Sequence, residues 1–375
     1  MGNASRHPSS AFPGPAVPAT APRRRRRRPL RAVLLALLAL VILVPAVAGA
    51  FVFDLGRIYD SLSTKIENAF PDESVRPQPA AGGENIADVA NGSGTIGDPG
   101  LRQAINILVM GSDSRGATPK EAVSSAGSNQ RADTIMLVHI PADRSKVYSI
   151  SLMRDLWVGI PGHGQAKINA ALAYGGVPLM VQTVESIFGQ RIDHVAMIDF
   201  KGFVGMTDAL GGVEVNVPQP FVSYHDQFSF PAGKNTLDGK HALEFVRERY
   251  AFADGDYQRV RNQQAFVEAL LANNLSADTL VNPLKLRGVV SAIAPFISVD
   301  EGLDAATLAG LALELKDVRH NDMVMFTLPT LGTGTSSDGQ SIVLTNPLAI
   351  DAISQAMETD TLGDYVAANG LQGGN

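Results

Sequence analysis

Three short runs, Ile105 to Met110, Thr134 to Ile140 and Val147 to Leu152, constrain the fold of this chain more than any other feature. Each is rich in β-branched residues and almost continuously apolar, without the alternation of a strand that has one face in water. Such segments suit central strands buried on both faces. Charged clusters stand at their ends: Gly111-Ser112-Asp113-Ser114-Arg115 after the first, Arg131-Ala132-Asp133-Thr134 at the start of the second and Arg154-Asp155 after the third. If the three strands are antiparallel neighbours, all three clusters emerge at one sheet edge. The segment Gly116 to Gln130, loop-like in composition, could fold over a ligand there.

Further elements alternate along the chain. Helical patterns cover Asn169 to Tyr174 and Val177 to Phe188, separated by Gly175-Gly176. A strand at Val195 to Ile198, a helix near Phe203 to Leu210 and a strand at Val213 to Val217 come next. Leu237 to Val246 and Asp256 to Leu271 read as helices. Helices near Leu303 to Leu315 and Ala349 to Met357 flank a strand around Met323 to Leu328. The alternation predicts an α/β (α+β) sandwich, a central mixed β-sheet flanked by helices.

The N-terminal part follows different rules. Residues 1–31 contain eight Arg and no acidic residue, which leaves 23 basic against 37 acidic residues in the remainder. The main domain is therefore net acidic, and nucleic acid is not an expected partner. Ala32 to Phe53 is uncharged and apolar over 22 residues, long enough to span a bilayer about 30 Å thick. With the arginines on its N-terminal side, residues 1–31 are expected to be a disordered cytoplasmic tail, 32–53 a transmembrane helix and the rest extracytoplasmic. A cleaved signal peptide is the alternative, since Ala46-Val47-Ala48 resembles a cleavage site. Residues 54–100 read as an amphipathic stalk and a Pro/Gly-rich linker, 101–360 as the extracytoplasmic globular domain and 361–375 as a flexible tail. There is no Cys, and the seven His are scattered, which leaves no thiol chemistry and no expected zinc site.

The clustered charges point to anion and cation chemistry. Asp113 and Asp133, at adjacent strand ends, suit Mg²⁺, which takes a few carboxylates together with substrate phosphate and water oxygens. Either could equally cap a turn. Arg154 directly follows a strand and needs an anion, either a ligand or Asp155 or Asp133. Arg247 and Arg249 share a face only in extended backbone, so the preceding helix should end near Val246; otherwise they form a solvated turn. In the next helix Arg259 and Gln263 lie on one face with Asp256, which could also be a plain N-cap, while Val260, Val267 and Leu271 mark the expected buried face. Lys167 and Asn169 offer a further cation and polar group before a helix. No P-loop ending and no Gly-x-Ser-x-Gly elbow is present.

In order, these segments resemble the LytR–CpsA–Psr family of cell-wall phosphotransferases. The matching stretches are Asn106 to Arg115, Arg131 to Thr134, Ser151 to Asp155, Lys167 to Ala170 with Tyr174 to Gly176, Asp199-Phe200, Leu210 to Val213, Leu237 to Gly239, Arg247 to Arg249 and Gly255 to Arg259 through Gln263-Gln264. They cover roughly residues 103–272. One departure is Met153, where the family usually has Pro before Arg-Asp. The resemblance implies transfer of a glycopolymer from a polyprenyl-pyrophosphate carrier onto a peptidoglycan sugar hydroxyl, with Mg²⁺ and an apolar groove for the prenyl chain. It implies Asp113 and Asp133 as Mg²⁺ ligands. Arg131, Arg154, Arg247, Arg249 and Arg259 would bind the pyrophosphate, with Arg115, Lys167 and Gln263 nearby, and Asp133 or Asp155 would be the general base. A polyprenyl-pyrophosphate-binding scaffold and a pyrophosphatase without transfer activity are the alternative functions.

Overall fold

A seven-stranded mixed sheet organises the protein. The computed structural model describes residues 49–78, 102–113, 130–274, 279, 282–319 and 322–371. Helix α1 (residues 49–62) leads into β1 (Thr64–Ile66). The three apolar runs form β2 (Ile105–Ser112), β3 (Ala132–Ile140) and β4 (Val147–Leu152). A hairpin of β5 (Trp157–Ile160) and β6 (Gly164–Lys167) precedes α2 (Ala170–Phe188), β7 (His194–Asp199) and α3 (Phe200–Ala209). Next come β8 (Val213–Val217), the short pair β9 (Phe221–Val222) and β10 (Ser229–Phe230), and β11 (Gly233–Leu237), which pairs back onto β8. Helices α4 (Gly239–Arg247), α5 (Asp256–Asn274) and α6 (Pro283–Ile293) lead to β12 (Ile297–Asp300) and α7 (Ala305–Glu314). The chain continues through β13 (Met323–Thr327), the hairpin β14 (Thr330–Thr335) and β15 (Ser341–Thr345), α8 (Pro347–Glu358) and α9 (Leu362–Ala368).

Strand order in the large sheet is β1-β12-β7-β2-β3-β4-β13. β3 runs antiparallel to both β2 and β4, while β7 and β13 join in parallel. One face packs on α2, α8 and α9 through Leu108, Ile135, Leu137, Ile150, Val181, Ile353 and Val366. The other face is divided. Around Ile105, Ile140 and Val299 it packs on Tyr59, Ala294 and Leu311. Beyond them, α3, α4 and α5 cover it, backed by a separate cluster in which Phe245 and Phe266 pack on the β8–β11 ribbon. Helix starts are marked by short polar caps: Asp199, Asp238, Asn282, Asp304 and Asn346 each accept from a backbone N–H of the first turn.

The structure corrects several expectations. Residues 51–78 are not a stalk outside the domain: β1 pairs with β12, Tyr59, Ile66 and Ala69 are buried in core clusters, and Arg76 is buried against Glu185. The described residues from Phe51 onward belong to one compact unit, so the domain does not wait until residue 101. Residues 361–371 are likewise no flexible tail, because Leu362, Val366 and Leu371 fill the core. Both segments place their apolar residues where a sheet edge or helix pair needs covering. The expected strand Val213–Val217 forms, but in a two-stranded ribbon of its own instead of the main sheet. Most of the expected membrane segment 32–53 lies outside the described residues. Among those described, no helix is long and apolar enough to cross a membrane.

Candidate functional site

The antiparallel order β2-β3-β4 brings the three charged clusters to one edge. Gly111 pairs with Thr134 but Ser112 with Ala132, so Asp133 is the extra residue of a β-bulge. The bulge shifts the side-chain phase by one. Ala132 joins Ile135 and Leu137 on the core face, while Asp133 faces the opposite cavity with Thr134 and Met136. After β4, Met153 is buried in the core and opens a turn in which Leu156 N–H donates to its carbonyl at 2.9 Å. Arg154 and Asp155 occupy the centre of that turn, which forms without the family's proline.

Helix α4 contributes from the other side. Asp238 accepts from His241 N–H at 2.9 Å to start it, and Gly239 packs directly on α3: a Cβ there would lie 2.2 Å from the Val204 carbonyl oxygen. The helix stops at Arg247 because Glu248 turns extended (φ −65°, ψ 132°). As the spacing requires, Arg247 and Arg249 then reach the same cavity. Arg247 lies over the Phe200 ring at 4.4 Å, a cation–π contact. Glu248, absent from the sequence-derived site, is 2% exposed. Its carboxylate accepts from the backbone N–H groups of Arg249, Tyr250 and Ala251 and, across a loop, from Tyr224.

Helix α5 departs from its expected orientation. Arg259, Asn262, Gln263, Gln264 and Phe266 are buried with Val260, whereas Val267 lines the cavity. The polar residues turn inward because they have partners there. Asn262 donates to the Phe245 carbonyl at 3.0 Å, Gln263 to that of Val246 at 3.3 Å and Gln264 to Ser151 Oγ at 2.9 Å. The first two satisfy carbonyls near the end of α4 and so fix where its arginines point. Asp256 begins α5, but it is no cap. It lies 3.1 Å from Arg259, 3.2 Å from Arg249 and 3.6 Å from Arg154.

These groups form a chain of alternating charge, Asp133–Arg154–Asp256–Arg259, with Arg249 attached. Arg154 Nη1 donates to Asp133 Oδ1 at 2.7 Å. Burial works against the charge on Arg154, but Asp133, then Asp256 and Asp155, outweigh it and raise its pKa. Arg259 moves the opposite way: burial and the neighbouring Arg154 hold it below an ordinary guanidinium. Burial would raise Asp256, yet Arg259 and Arg154 keep it below the usual carboxylate range. The Nε atoms of both Arg154 and Arg259 are buried without a hydrogen-bond partner. Donors left in that condition are costly, and Arg154 Nε is met only by the longer ion-pair contacts to Asp256 at 3.6 Å and Asp155 at 3.8 Å.

Of the residues singled out from sequence, Asp133, Arg154, Arg247, Arg249, Arg259 and Gln263 line one cavity of about 240 Å³. Beyond this charged rim its wall is apolar, with Val109, Met136, Ile198, Phe203, Leu243 and Phe266. Asp155 lies outside the wall, held by Lys167 Nζ at 3.1 Å. Asp113 follows β2 at the same edge, its N–H donating to the Arg131 carbonyl, and the Arg131 side chain is exposed. Neither lines the cavity. Arg115 lies outside the described residues. Among the described residues no group of three or more acidic or His side chains is placed to hold a metal. The residues that would hold a cation at this edge are Asp133 and Asp113, carboxylates of the kind that Mg²⁺ takes together with phosphate and water oxygens.

A helix-flanked mixed sheet here gathers arginines and carboxylates over an apolar cavity. The LytR_cpsA_psr family model matches residues 82–359, and the chain belongs to that family. It is 38% identical over 233 residues to the probable cell wall biosynthesis protein LcpB of Corynebacterium glutamicum, covering 61% of this chain and 53% of LcpB. To LcpA, a cell wall biosynthesis protein of the same organism, it is 31% identical over 288 residues, covering 67% of this chain and 55% of LcpA. The chain thus spans about half the length of these curated relatives. Among solved structures, TagT bound to LI-WTA superposes with a TM-score of 0.54 at 25% identity, over 72% of this chain and 94% of TagT.

Proposed function

We propose that this protein is a membrane-anchored phosphotransferase that moves a glycopolymer from a polyprenyl-pyrophosphate carrier to a peptidoglycan sugar hydroxyl. The observation that carries this reading is the cavity itself, an apolar wall ending in Arg154, Arg247, Arg249 and Arg259. Its two parts match the two parts of a prenyl pyrophosphate. The family membership, the cell-wall role of the relatives and the LI-WTA bound by TagT support it.

In this reading the prenyl chain lies along Phe203, Leu243 and Phe266, and the pyrophosphate meets the arginines through charge-assisted hydrogen bonds. The acceptor oxygen attacks the phosphorus that carries the glycan. The bridging oxygen leaves with the prenyl phosphate, and the acceptor proton passes to a carboxylate. Asp133 faces the cavity and Asp155 does not, so Asp133 takes the proton. Its Oδ1 accepts from Arg154. Mg²⁺ held by Asp113 and Asp133 would neutralise phosphate charge. The protein's own contribution is positioning and electrostatic stabilisation. The apolar run 32–53 would hold the domain at the outer membrane surface.

The test is a transfer assay on the full chain in detergent, with a synthetic polyprenyl-pyrophosphate glycan, peptidoglycan fragments, and Mg²⁺ or EDTA. A Mg²⁺-dependent glycan–peptidoglycan product is expected. Lipid cleavage without an adduct would identify a pyrophosphatase. Tight binding without turnover would identify a carrier-binding scaffold.

A further inference from the structure

Beside the arginine rim, two tyrosines stand in solvent. Tyr224 is 60% exposed and Tyr250 57% exposed, yet their ring centroids are 4.9 Å apart, tilted at 46°. The His225 imidazole meets both edge-on, at 5.5 Å from Tyr224 and 6.3 Å from Tyr250. Exposed aromatics gain little from folding, so a paired and open set needs another reason.

This set is also held in place. The buried Glu248 carboxylate accepts from Tyr224 N–H at 2.6 Å through Oε2 and from Tyr250 N–H at 2.7 Å through Oε1. One carboxylate thereby fixes the backbone under both rings, although 26 residues separate them in sequence. The platform adjoins the anion site directly. Arg249 Nη2 donates to Tyr250 Oη at 2.6 Å, its guanidinium lies 4.5 Å from that ring centroid, and His225 and Tyr250 border the cavity.

From this placement we propose that Tyr224, His225 and Tyr250 form a sugar-stacking subsite for the pyranose attached to the donor's pyrophosphate. The inference rests on the pyrophosphate reading above and adds to it where the glycan sits. A pyranose has an apolar C–H face and a hydroxyl rim. Tyrosine matches both with a flat apolar ring and a polar tip, and it orders only two torsions on binding. The patch is far smaller than a stable protein interface requires, so a single sugar next to an anion is the occupant that fits. Tyr224 lies outside the cavity wall, and among the described residues no hydrogen bond or cation–π contact joins it to an arginine of the site, which makes it a contact for the glycan alone.

The experiment compares two probes on the full chain in detergent, farnesyl pyrophosphate and farnesyl-pyrophosphoryl-N-acetylglucosamine, by equilibrium dialysis. The wild type should bind the sugar-bearing probe roughly five- to tenfold more tightly. Tyr224→Ala should lose that increment while binding farnesyl pyrophosphate as before, and Tyr224→Phe should keep it. In transfer assays Tyr224→Ala should raise the donor KM and leave the acceptor KM unchanged. Equal wild-type affinity for both probes would overturn the subsite and leave the pyrophosphate reading intact. Failure to bind either probe would overturn both. A shift in acceptor KM alone would reassign the platform to the acceptor and overturn the donor assignment.

Discussion

Arg76 and Arg154 each set a guanidinium against a carboxylate at 2.7 Å, the first on Glu185 and the second on Asp133. Their surroundings differ in how far the donors are matched. Arg76 Nε and Nη2 bond to Glu185, Nη2 also reaches the Ile192 carbonyl, and Nη1 meets Glu73 at 3.3 Å. Only Glu185 Oε2 on the partner's side is left without a hydrogen bond. At the rim of the cavity, by contrast, Arg154 and Arg259 crowd each other around shared carboxylates and each retains an unbonded Nε. A structural ion pair uses its donors up internally, whereas the rim of the cavity leaves its guanidinium groups crowded and incompletely matched. The same residue type can therefore be assigned to fold or to function by counting what its nitrogens touch.

The largest effect is expected where the donors are matched. Arg76→Ala leaves Glu185 charged and 1% exposed, and breaking a buried pair in this way costs about 3–5 kcal/mol. Urea unfolding measures it, and a loss below about 1 kcal/mol would erase the contrast with the cavity. Arg154→Ala is next. Transfer should fall on the order of 10²–10³-fold, while the unfolding midpoint moves less than in Arg76→Ala because Asp133 keeps access to water. Normal turnover in that variant would remove Arg154 from the site.

A third effect concerns acid. His139 is buried with Nδ1 2.8 Å from Asn106 Oδ1, and burial, with Arg144 nearby, lowers its pKa from 6.5 to about 4. The unfolded chain therefore binds a proton between these values that the folded chain refuses. Stability is complete above pH 6.5 and declines as pH falls towards 4, by about 3 kcal/mol at most. His139→Gln should flatten that limb in urea titrations across pH 4–7. An unchanged slope would move the acid sensitivity to the carboxylates of the rim. The smallest effect on stability is expected for Arg259→Met. Asp256 keeps Arg154 and Arg249 as partners, and relief of burial and of repulsion from Arg154 offsets the lost contact, so stability should fall far less than in Arg76→Ala while transfer collapses. A loss of several kcal/mol would make Arg259 a structural residue like Arg76.

Much of this was legible in the chain. The runs that became β2, β3 and β4 were recognisable because strands buried on both faces must be apolar throughout. The antiparallel order followed from asking where their charged ends could meet. The end of α4 was legible because Arg247 and Arg249 can share a target only if the helix stops between them. The buried face of α5 was not, since hydropathy assigns Asn262, Gln263 and Gln264 to water and their partners are carbonyls and a hydroxyl remote in sequence. Glu248 escaped notice for a related reason: a carboxylate satisfied by backbone N–H groups leaves no pattern in composition.

Sequence by itself determined the family, the central strands, the main helices and four of the five arginines expected together, Arg131 standing apart, because periodicity and ordered motifs are local properties. Tertiary structure alone decided that residues 51–78 and 361–371 complete the core, that a bulge aims Asp133 into the cavity, and that Asp256 serves three arginines instead of a helix end. Each of these depends on which distant group a side chain or strand edge meets, and a short polar segment becomes core or surface only when a neighbour covers it.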